Sequence, residues 1–227
     1  MEQKFNIAVL IPAHNEEVSI GKLVKDLQGK VEKIIVVNDG STDATAKEAE
    51  NKGAVVLHHQ KRRGKGEALK TGFNYILENE YRAVITMDGD GQHLPSEVYK
   101  FVETFEKGPD NIGLIIGLRR REIGRMPLDR RLTNWFTSSV VSCFAHQRIP
   151  DSQCGFRLIR GEALKGIKLL TSHFDTESEI LVKIARKGFR ILSIPIKTVY
   201  QEEKSKIDPF LDTLRFFKLC WYFLFGR

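Results

Sequence analysis

The sequence predicts an α/β fold in which a mainly parallel central sheet is flanked by helices. In the first half of the chain, short β-branched apolar runs alternate with segments whose apolar residues recur at helical spacing. The length of 227 residues fits one large α/β domain, or such a domain with an appendage. A hydrophobic content of 41% is enough for a core and argues against a disordered chain.

Strands and helices alternate through the first half. The predicted elements are a strand over 5–11, a helix over 17–27, a strand over 33–37, a helix over 44–51, a strand over 54–57, a helix from about 65 to 78 and a strand over 83–87. One face of the first helix carries the apolar residues Val18, Ile20, Leu23, Val24 and Leu27. Because a helix follows each strand, we expect parallel strands joined by right-handed crossovers.

The second half is less regular. It predicts a strand over 111–118, an apolar helix from about 132 to 145, a loop running into a strand over 151–159, a helix over 176–187 and a strand over 190–199. Gly188 suits the C-terminal cap of the helix before it. The tail over 207–227 has an apolar stripe at helical spacing and a dense aromatic end. It predicts either a helix on an anionic membrane or a helix packed on the domain or in a homodimer contact.

The charge balance limits the class of partner. The 36 Lys and Arg residues exceed the 29 Asp and Glu residues, which gives a net charge of +7. Such an excess suits nucleic acid, anionic lipid or a phosphorylated substrate. The basic loop that holds Arg119 and Arg131 has few aromatic residues and no recognised nucleic-acid-binding module. We therefore expect this loop to bind the phosphate of a substrate and not nucleic acid. The alternative is that the loop is a charged face exposed to solvent.

Cysteine usage and the ends of the chain predict a cytoplasmic protein. Cys143, Cys154 and Cys220 are widely spaced and form neither a disulfide framework nor a zinc pattern. The segment over 1–4 leads straight into a strand without a signal peptide, and no apolar stretch is long enough to span a bilayer. If the tail binds lipid, the protein is peripheral on the cytoplasmic face of the membrane.

The most informative short pattern is Asp88-Gly89-Asp90, which directly follows the predicted strand over 83–87. Two carboxylates at i and i+2 can turn toward one point, and carboxylate oxygens suit Mg²⁺ or Mn²⁺. Such an ion would hold the phosphates of a substrate. A solvated acidic turn after a strand has the same residues, and this pattern alone does not decide between the two.

Two other polar clusters end predicted strands, over 12–16 and over 38–40. In open α/β sheets, ligands bind beyond the carboxyl ends of the strands, so the three clusters favour a shared site. Lys65 opens a helix after a basic, glycine-containing loop that could attract phosphate, although its spacing is wrong for a P-loop. A flexible solvated loop is the alternative there. His93 follows the acidic turn and could line the site.

Together these motifs resemble inverting glycosyltransferases of family 2, which have the GT-A fold, in the branch of dolichyl- or polyprenyl-phosphate sugar synthases. The matching segments are P-x-x-N-E at 12–16, V-x-D-G-S-x-D at 37–43, D-x-D-x-Q-H at 88–93, a D-x-x-[ST]-G-F-R-like segment at 151–157 and a V-P-I…S-K-like stretch at 194–206. The resemblance implies division of residues 1–206 into a nucleotide-sugar-binding half over 1–93 and an acceptor half over 94–206. Residues 207–227 follow as the amphipathic tail.

The resemblance also implies a role for each matching residue. The base and ribose of the donor would be held by Pro12, Ala13, Asn15, Glu16 and Asp39. Mg²⁺ or Mn²⁺ bridging the donor diphosphate would be bound by Asp88, Asp90 and Gln92. Phosphate groups of acceptor and donor would be gripped by Arg119, Arg131 and Lys206. To the donor site we also assign Lys65 and Gly89.

The implied reaction moves a sugar from a GDP- or UDP-linked donor to a polyprenyl or dolichyl phosphate. Such an acceptor is already an anion and requires no catalytic base. The same donor chemistry with a saccharide or other hydroxyl acceptor is the alternative, and it would need a base such as Glu179, near which Glu177 also lies. A non-catalytic nucleotide-sugar-binding protein and a nucleic-acid-binding protein are alternatives from other classes.

Overall fold

The computed structural model describes residues 6–119, 128–173, 175–199 and 209–225. In these ranges the strands are β1 Ile7–Ala13, β2 Lys33–Asp39, β3 Val55–His59, β4 Ala83–Thr86, β5 Ile112–Arg119, β6 Arg157–Arg160 and β7 Arg190–Ile196. The helices are α1 Glu17–Leu27, α2 Thr45–Asn51, α3 Lys65–Glu78, α4 Val98–Lys107, α5 Leu128–Ala145, α6 Gly161–Leu164, α7 Asp175–Arg186 and α8 Pro209–Phe225. A 3₁₀ turn over Pro95–Glu97 precedes α4.

The described strands form one sheet in the order β3-β2-β1-β4-β6-β5-β7. Every described pair is parallel except those of β6, which runs antiparallel to β4 and β5. The predicted mainly parallel α/β fold is therefore confirmed. The direction of β6 was not predicted, because a buried run of four residues has no pattern that distinguishes the two directions.

Helices cover the sheet on both faces, so its central strands are buried. The residues of β1 from Ile7 to Ile11 are completely buried. The helix α3 approaches β1 closely at Gly72, where a Cβ would lie 2.2 Å from Leu10 Cδ1. This close packing places the N-terminus of α3 beside the carboxyl ends of β1 and β2.

Local differences from the predicted elements have simple physical reasons. Val18 is 93% exposed, because it lies two residues before Ile20 and therefore on the opposite side of α1. The predicted strand over 190–199 ends at Ile196. Beyond it, the N–H of Val199 donates to the Gln92 carbonyl (3.0 Å). The chain after β7 thus pairs with the segment that follows the acidic turn.

The tail forms α8, which packs on α7 and leaves one apolar face uncovered. Its inner side chains Phe216, Leu219 and Phe223 are buried. Its outer face exposes Leu214, Phe217, Trp221, Leu224 and Phe225. Among the described residues, no helix is both long and apolar enough to cross a membrane.

Candidate active site

The carboxyl ends of β2, β1 and β4 meet at one edge of the sheet. These strands are parallel neighbours, with Ala13 opposite Asn38 and Leu10 opposite Thr86. The segments that follow them are therefore brought together, as the sequence predicted. The three polar clusters form a single site at this edge.

The segments after β1 and β2 hold each other by hydrogen bonds. The N–H of Asn15 donates to Ser41 Oγ (3.0 Å), and the N–H of Thr42 donates to Asn15 Oδ1 (2.9 Å). The N–H of Glu16 donates to Thr45 Oγ1 (2.8 Å). Asn15 has a φ of 55°, a left-handed conformation that asparagine tolerates better than most residues. Asn15 therefore shapes the site through both its backbone and its amide.

Asp39 is buried, and its carboxylate orders the loop that leads into α3. Its Oδ1 accepts the N–H of Arg63 (2.8 Å) and lies 2.7 Å from His59 Nδ1, while Oδ2 accepts the N–H of Gly64 (2.8 Å). Burial opposes ionisation, but the hydrogen bonds from His59 and the two backbone N–H groups outweigh it and lower the pKa of Asp39. The carboxylate thereby fixes the position of Lys65, the first residue of α3.

The acidic turn packs directly on the segment after β1. A Cβ at Gly89 would lie 3.3 Å from Glu16 Cγ and 3.6 Å from Ala13 Cβ. The Gly89 carbonyl accepts the hydroxyl of Ser19 (2.6 Å). Asp88 and Asp90 are thus placed beside the predicted donor-binding residues of β1.

Lys65 lies between two carboxylates. Its Nζ is 2.5 Å from Asp88 Oδ1 and 3.2 Å from Glu177 Oε2. Burial disfavours the charged amine, but the carboxylates of Asp88 and Glu177 outweigh it and raise the pKa of Lys65. For Asp88, burial opposes ionisation and the Lys65 ammonium outweighs it, which holds the pKa of Asp88 well below its usual value. Both groups are therefore charged at neutral pH.

Asp90 is in the opposite situation, with carboxylates as its main charged neighbours. Burial and the charge of Asp88 raise its pKa, with a smaller contribution from Glu16. Its Oδ1 accepts the N–H of Gln92 (2.9 Å). Such a pair of repelling carboxylates fits a divalent cation. Among the described residues, no group of three or more His, Cys, Asp or Glu side chains is arranged for a metal.

The histidine after the acidic turn does line the site. His93 is buried, and its Nδ1 accepts the N–H of Asp88 (3.2 Å). Its ring lies 5.1 Å from that of Phe156, between centroids. Burial lowers the pKa of His93, so the neutral form accepts this hydrogen bond.

Arg119, which the sequence predicted to bind phosphate, forms an ion pair in the structure. Its Nε and Nη2 donate to the two carboxylate oxygens of Asp151 (2.8 Å each), and Asn134 Nδ2 donates to the same carboxylate (3.2 Å). The Arg119 side chain remains 23% exposed. The side chain of Arg131 and all of Lys206 lie outside the described residues.

The candidate base Glu179 does not face this site. It is completely buried, and its oxygens accept the N–H groups of Leu170 (2.9 Å) and Thr171 (2.9 Å) and bind Lys183 Nζ (2.6 Å). Glu177 reaches the site instead. Two residues on a helix are about 200° apart, so only one of these two glutamates can point toward Lys65.

Arg157 was assigned no role from the sequence, but in the structure it holds the main chain at Glu177. Arg157 is buried, and its guanidinium donates to the carbonyls of Glu177 (2.7 Å), Cys154 (2.8 Å) and Ser152 (2.9 Å). Its Nη2 lies 3.8 Å from Glu177 Oε1. The sequence feature that could have identified Arg157 is its position in the G-F-R segment at 155–157.

Sequence comparison connects the chain to enzymes that act on lipid phosphates. The family model described as Glycosyl transferase family 2 matches residues 8–167. The chain is 31% identical over 219 residues to the UDP-N-acetylglucosamine–dolichyl-phosphate N-acetylglucosaminyltransferase of Methanococcus voltae, covering 86% of each chain. It is 29% identical over 209 residues to the undecaprenyl-phosphate mannosyltransferase of Micrococcus luteus, covering 86% of this chain and 84% of that one.

Solved structures share the architecture. The glucosyl-3-phosphoglycerate synthase of Mycobacterium tuberculosis, in complex with Mn²⁺, UDP and phosphoglyceric acid, matches with a TM-score of 0.72 at 20% identity, covering 97% of this chain and 77% of that chain. The same enzyme in complex with Mg²⁺ and UDP matches with a TM-score of 0.70 at 21% identity. At this identity the likeness concerns the sheet and its flanking helices.

Proposed function

The chain belongs to glycosyl transferase family 2, and from that premise we propose that it moves a sugar from a GDP- or UDP-linked donor to a polyprenyl or dolichyl phosphate. The sheet and helices are those of the GT-A fold. The observation that carries the proposal is the single site formed by Asp88, Asp90 and the segments after β1 and β2. The relatives that act on dolichyl and undecaprenyl phosphate support the acceptor class.

In this proposal residues 1–93 serve the donor. Pro12, Ala13, Asn15, Glu16 and Asp39 hold the base and ribose, and Gly89 keeps the acidic turn close to them. Asp88 and Asp90, with Gln92, would hold Mg²⁺ or Mn²⁺, which when bound neutralises the leaving nucleoside diphosphate. The Mn²⁺ and Mg²⁺ complexes of the structural neighbour with UDP support this cofactor class.

Residues 94–206 serve the acceptor, with Arg119, Arg131 and Lys206 as the phosphate-binding residues. An oxygen of the acceptor phosphate forms a bond to the anomeric carbon from the face opposite the leaving group. The bond from that carbon to the nucleoside diphosphate breaks, and the diphosphate leaves with the electron pair. The attacking oxygen carries no proton near neutral pH, so no base is needed. The burial of Glu179 removes it as the base that a neutral hydroxyl acceptor would need.

We also propose that the outer face of α8 contacts an anionic membrane, which would bring the site to a lipid acceptor on the cytoplasmic face. This face is apolar and exposed at Phe217 and Trp221. Arg215 and Lys218 on the same helix supply positive charge. A homodimer contact through this face is the competing proposal.

A donor and acceptor screen tests the proposed function. Purified protein is mixed with UDP- or GDP-sugars, Mg²⁺ or Mn²⁺, and short polyprenyl phosphates, and released nucleoside diphosphate is measured. We expect release that depends on both the lipid phosphate and the divalent cation. Turnover with a glycan acceptor but with no lipid phosphate would refute the proposed acceptor class.

A further inference from the structure

An ammonium group pairs with one of the two carboxylates that the proposed function assigns to the divalent cation. Lys65 Nζ lies 2.5 Å from Asp88 Oδ1, one of the two carboxylates assigned to the metal. The side chains of Lys65 and Asp88 are 17% and 30% exposed. A salt bridge this short, with little solvent around it, satisfies the charge of Asp88 before any metal arrives.

The Asp88 carboxylate also packs against Gly155. A Cβ at Gly155 would lie 2.7 Å from Oδ2 and 3.0 Å from Oδ1, so the carboxylate packs directly against this glycine. The backbone N–H of Asp88 donates to His93 Nδ1 (3.2 Å), which holds the main chain of the acidic turn in place. A metal at Oδ1 would lie beside the Lys65 ammonium, and the repulsion between the two positive charges favours displacement of Lys65.

Glu177 can keep the Lys65 ammonium paired when a metal displaces it from Asp88. Its Oε2 is 3.2 Å from Lys65 Nζ, and its side chain is 10% exposed. The buried Arg157 binds the Glu177 carbonyl (2.7 Å) and keeps the first turn of α7 beside the site. The lysine side chain is flexible with three rotatable donors, so the ammonium can leave Asp88 while staying on Glu177.

We propose that Lys65 is a built-in counter-cation that competes with the divalent metal for Asp88. Metal alone then binds weakly, because it must displace the ammonium. A nucleoside diphosphate removes this obstacle by supplying phosphate oxygens to Lys65, so metal and nucleotide bind together. This inference rests on the proposed donor site and adds a coupling between its two ligands.

Equilibrium binding of Mn²⁺ alone tests the proposal without turnover. Free Mn²⁺ is measured by its paramagnetic resonance signal during titration of wild-type protein and Lys65→Met. We expect Mn²⁺ alone to bind about tenfold tighter to the variant, since one competing charge is removed. Binding of UDP (or GDP, if the wild type prefers it) at saturating Mn²⁺ should become about tenfold weaker, since a diphosphate-binding group is lost.

Lys70→Met is the matched control. It removes the same charge from the same helix, but Lys70 pairs with Glu67 (2.7 Å). We expect its Mn²⁺ and nucleotide affinities to stay within twofold of wild type. Lys65→Arg keeps the charge and should keep the weak binding of Mn²⁺ alone.

The possible results separate the two proposals. Unchanged or weaker binding of Mn²⁺ alone in folded Lys65→Met would overturn the counter-cation role. If that variant does not fold, as judged by its melting curve, Lys65→Gln is measured against the same expectation. A wild-type protein that binds no nucleoside diphosphate with Mn²⁺ would instead refute the proposed function, and this inference with it.

Discussion

The carboxylates of the site differ in their neutralising partners, and this difference separates their roles. The Asp39 carboxylate accepts hydrogen bonds from backbone N–H groups and pairs with His59, so it orders the loop before α3 in addition to its proposed role in donor binding. Asp88 is satisfied by Lys65, a group that can move. Asp90 has mainly repelling neighbours, so it is the carboxylate that gains most from a bound cation.

Asp90→Asn should separate activity from stability. We expect turnover with a sugar nucleotide to fall by about 10²-fold or more, the scale seen when stabilisation of a developing charge is lost. The melting temperature should stay equal or rise, because the repulsion from Asp88 is relieved. Asp110→Asn is the control, since Asp110 is fully exposed and should affect neither quantity. Normal turnover by Asp90→Asn would contradict the assigned role.

Asp39→Asn should lower stability in a pH-dependent way. The pKa of Asp39 is lowered in the folded protein, so its contribution is present above the unfolded pKa and is lost as pH falls through the folded value. We expect the variant to lose about 1–3 kcal/mol at pH 7, with the difference from wild type shrinking below about pH 4. Urea unfolding at several pH values measures this. Asp26→Asn, at an exposed pair with Lys22, should show little change, and a constant loss at every pH would disprove the explanation.

At the scale of elements, helix ends and faces decide which residues meet. The first turn of α3 supplies Lys65 and the first turn of α7 supplies Glu177, so two helix N-termini flank the acidic turn. On α7, the same helical geometry that brings Glu177 to the site turns Glu179 into the interior. On α8, one face packs on α7 and the other is left exposed.

The exposed face of α8 should bind anionic vesicles. We expect the double variant Phe217→Gln and Trp221→Gln to sediment with such vesicles about tenfold less than wild type, because two exposed aromatic anchors are removed. The melting temperature should change little, since these side chains are 55% and 67% exposed.

The matched control for this experiment removes two exposed apolar residues from other helices. Val18→Gln with Tyr99→Gln does so on α1 and α4 and should leave vesicle binding intact. Equal sedimentation of wild type and the α8 variant would exclude the membrane contact. If the wild type instead forms a dimer that the α8 variant loses, the face is a homodimer interface.

At the scale of the whole molecule, donor binding should stabilise the fold because the site joins segments from three strands and two helices. At a concentration 100 times its dissociation constant, a ligand adds about 2.7 kcal/mol. For a chain of this size we expect UDP or GDP with Mn²⁺ to raise the melting temperature by about 5 °C or more. The corresponding monophosphates, which lack the diphosphate, should give a smaller shift. No shift with either diphosphate would count against the donor site.

Much of this architecture could be predicted without coordinates, because it depends on local periodicity. Short apolar runs predicted the strands. The polar residues at the ends of β1, β2 and β4 predicted which edge of the sheet carries the candidate site. The helix α4 was not predicted, although Val98, Phe101, Val102 and Phe105 have helical spacing and are buried. This helical spacing of apolar residues is visible in the sequence and would have predicted the helix.

The sequence by itself determined the α/β class and the edge of the sheet where the acidic turn meets the segments after β1 and β2, because these follow from residue patterns within single segments. Only the tertiary structure decided that β6 is antiparallel, that Arg119 pairs with Asp151, and that Glu177 and Lys65 meet at Asp88. Residues 65, 88 and 177 lie on three separate elements. Their contact depends on the order of strands in the sheet and on the packing of helices over it, which no local pattern in the chain records.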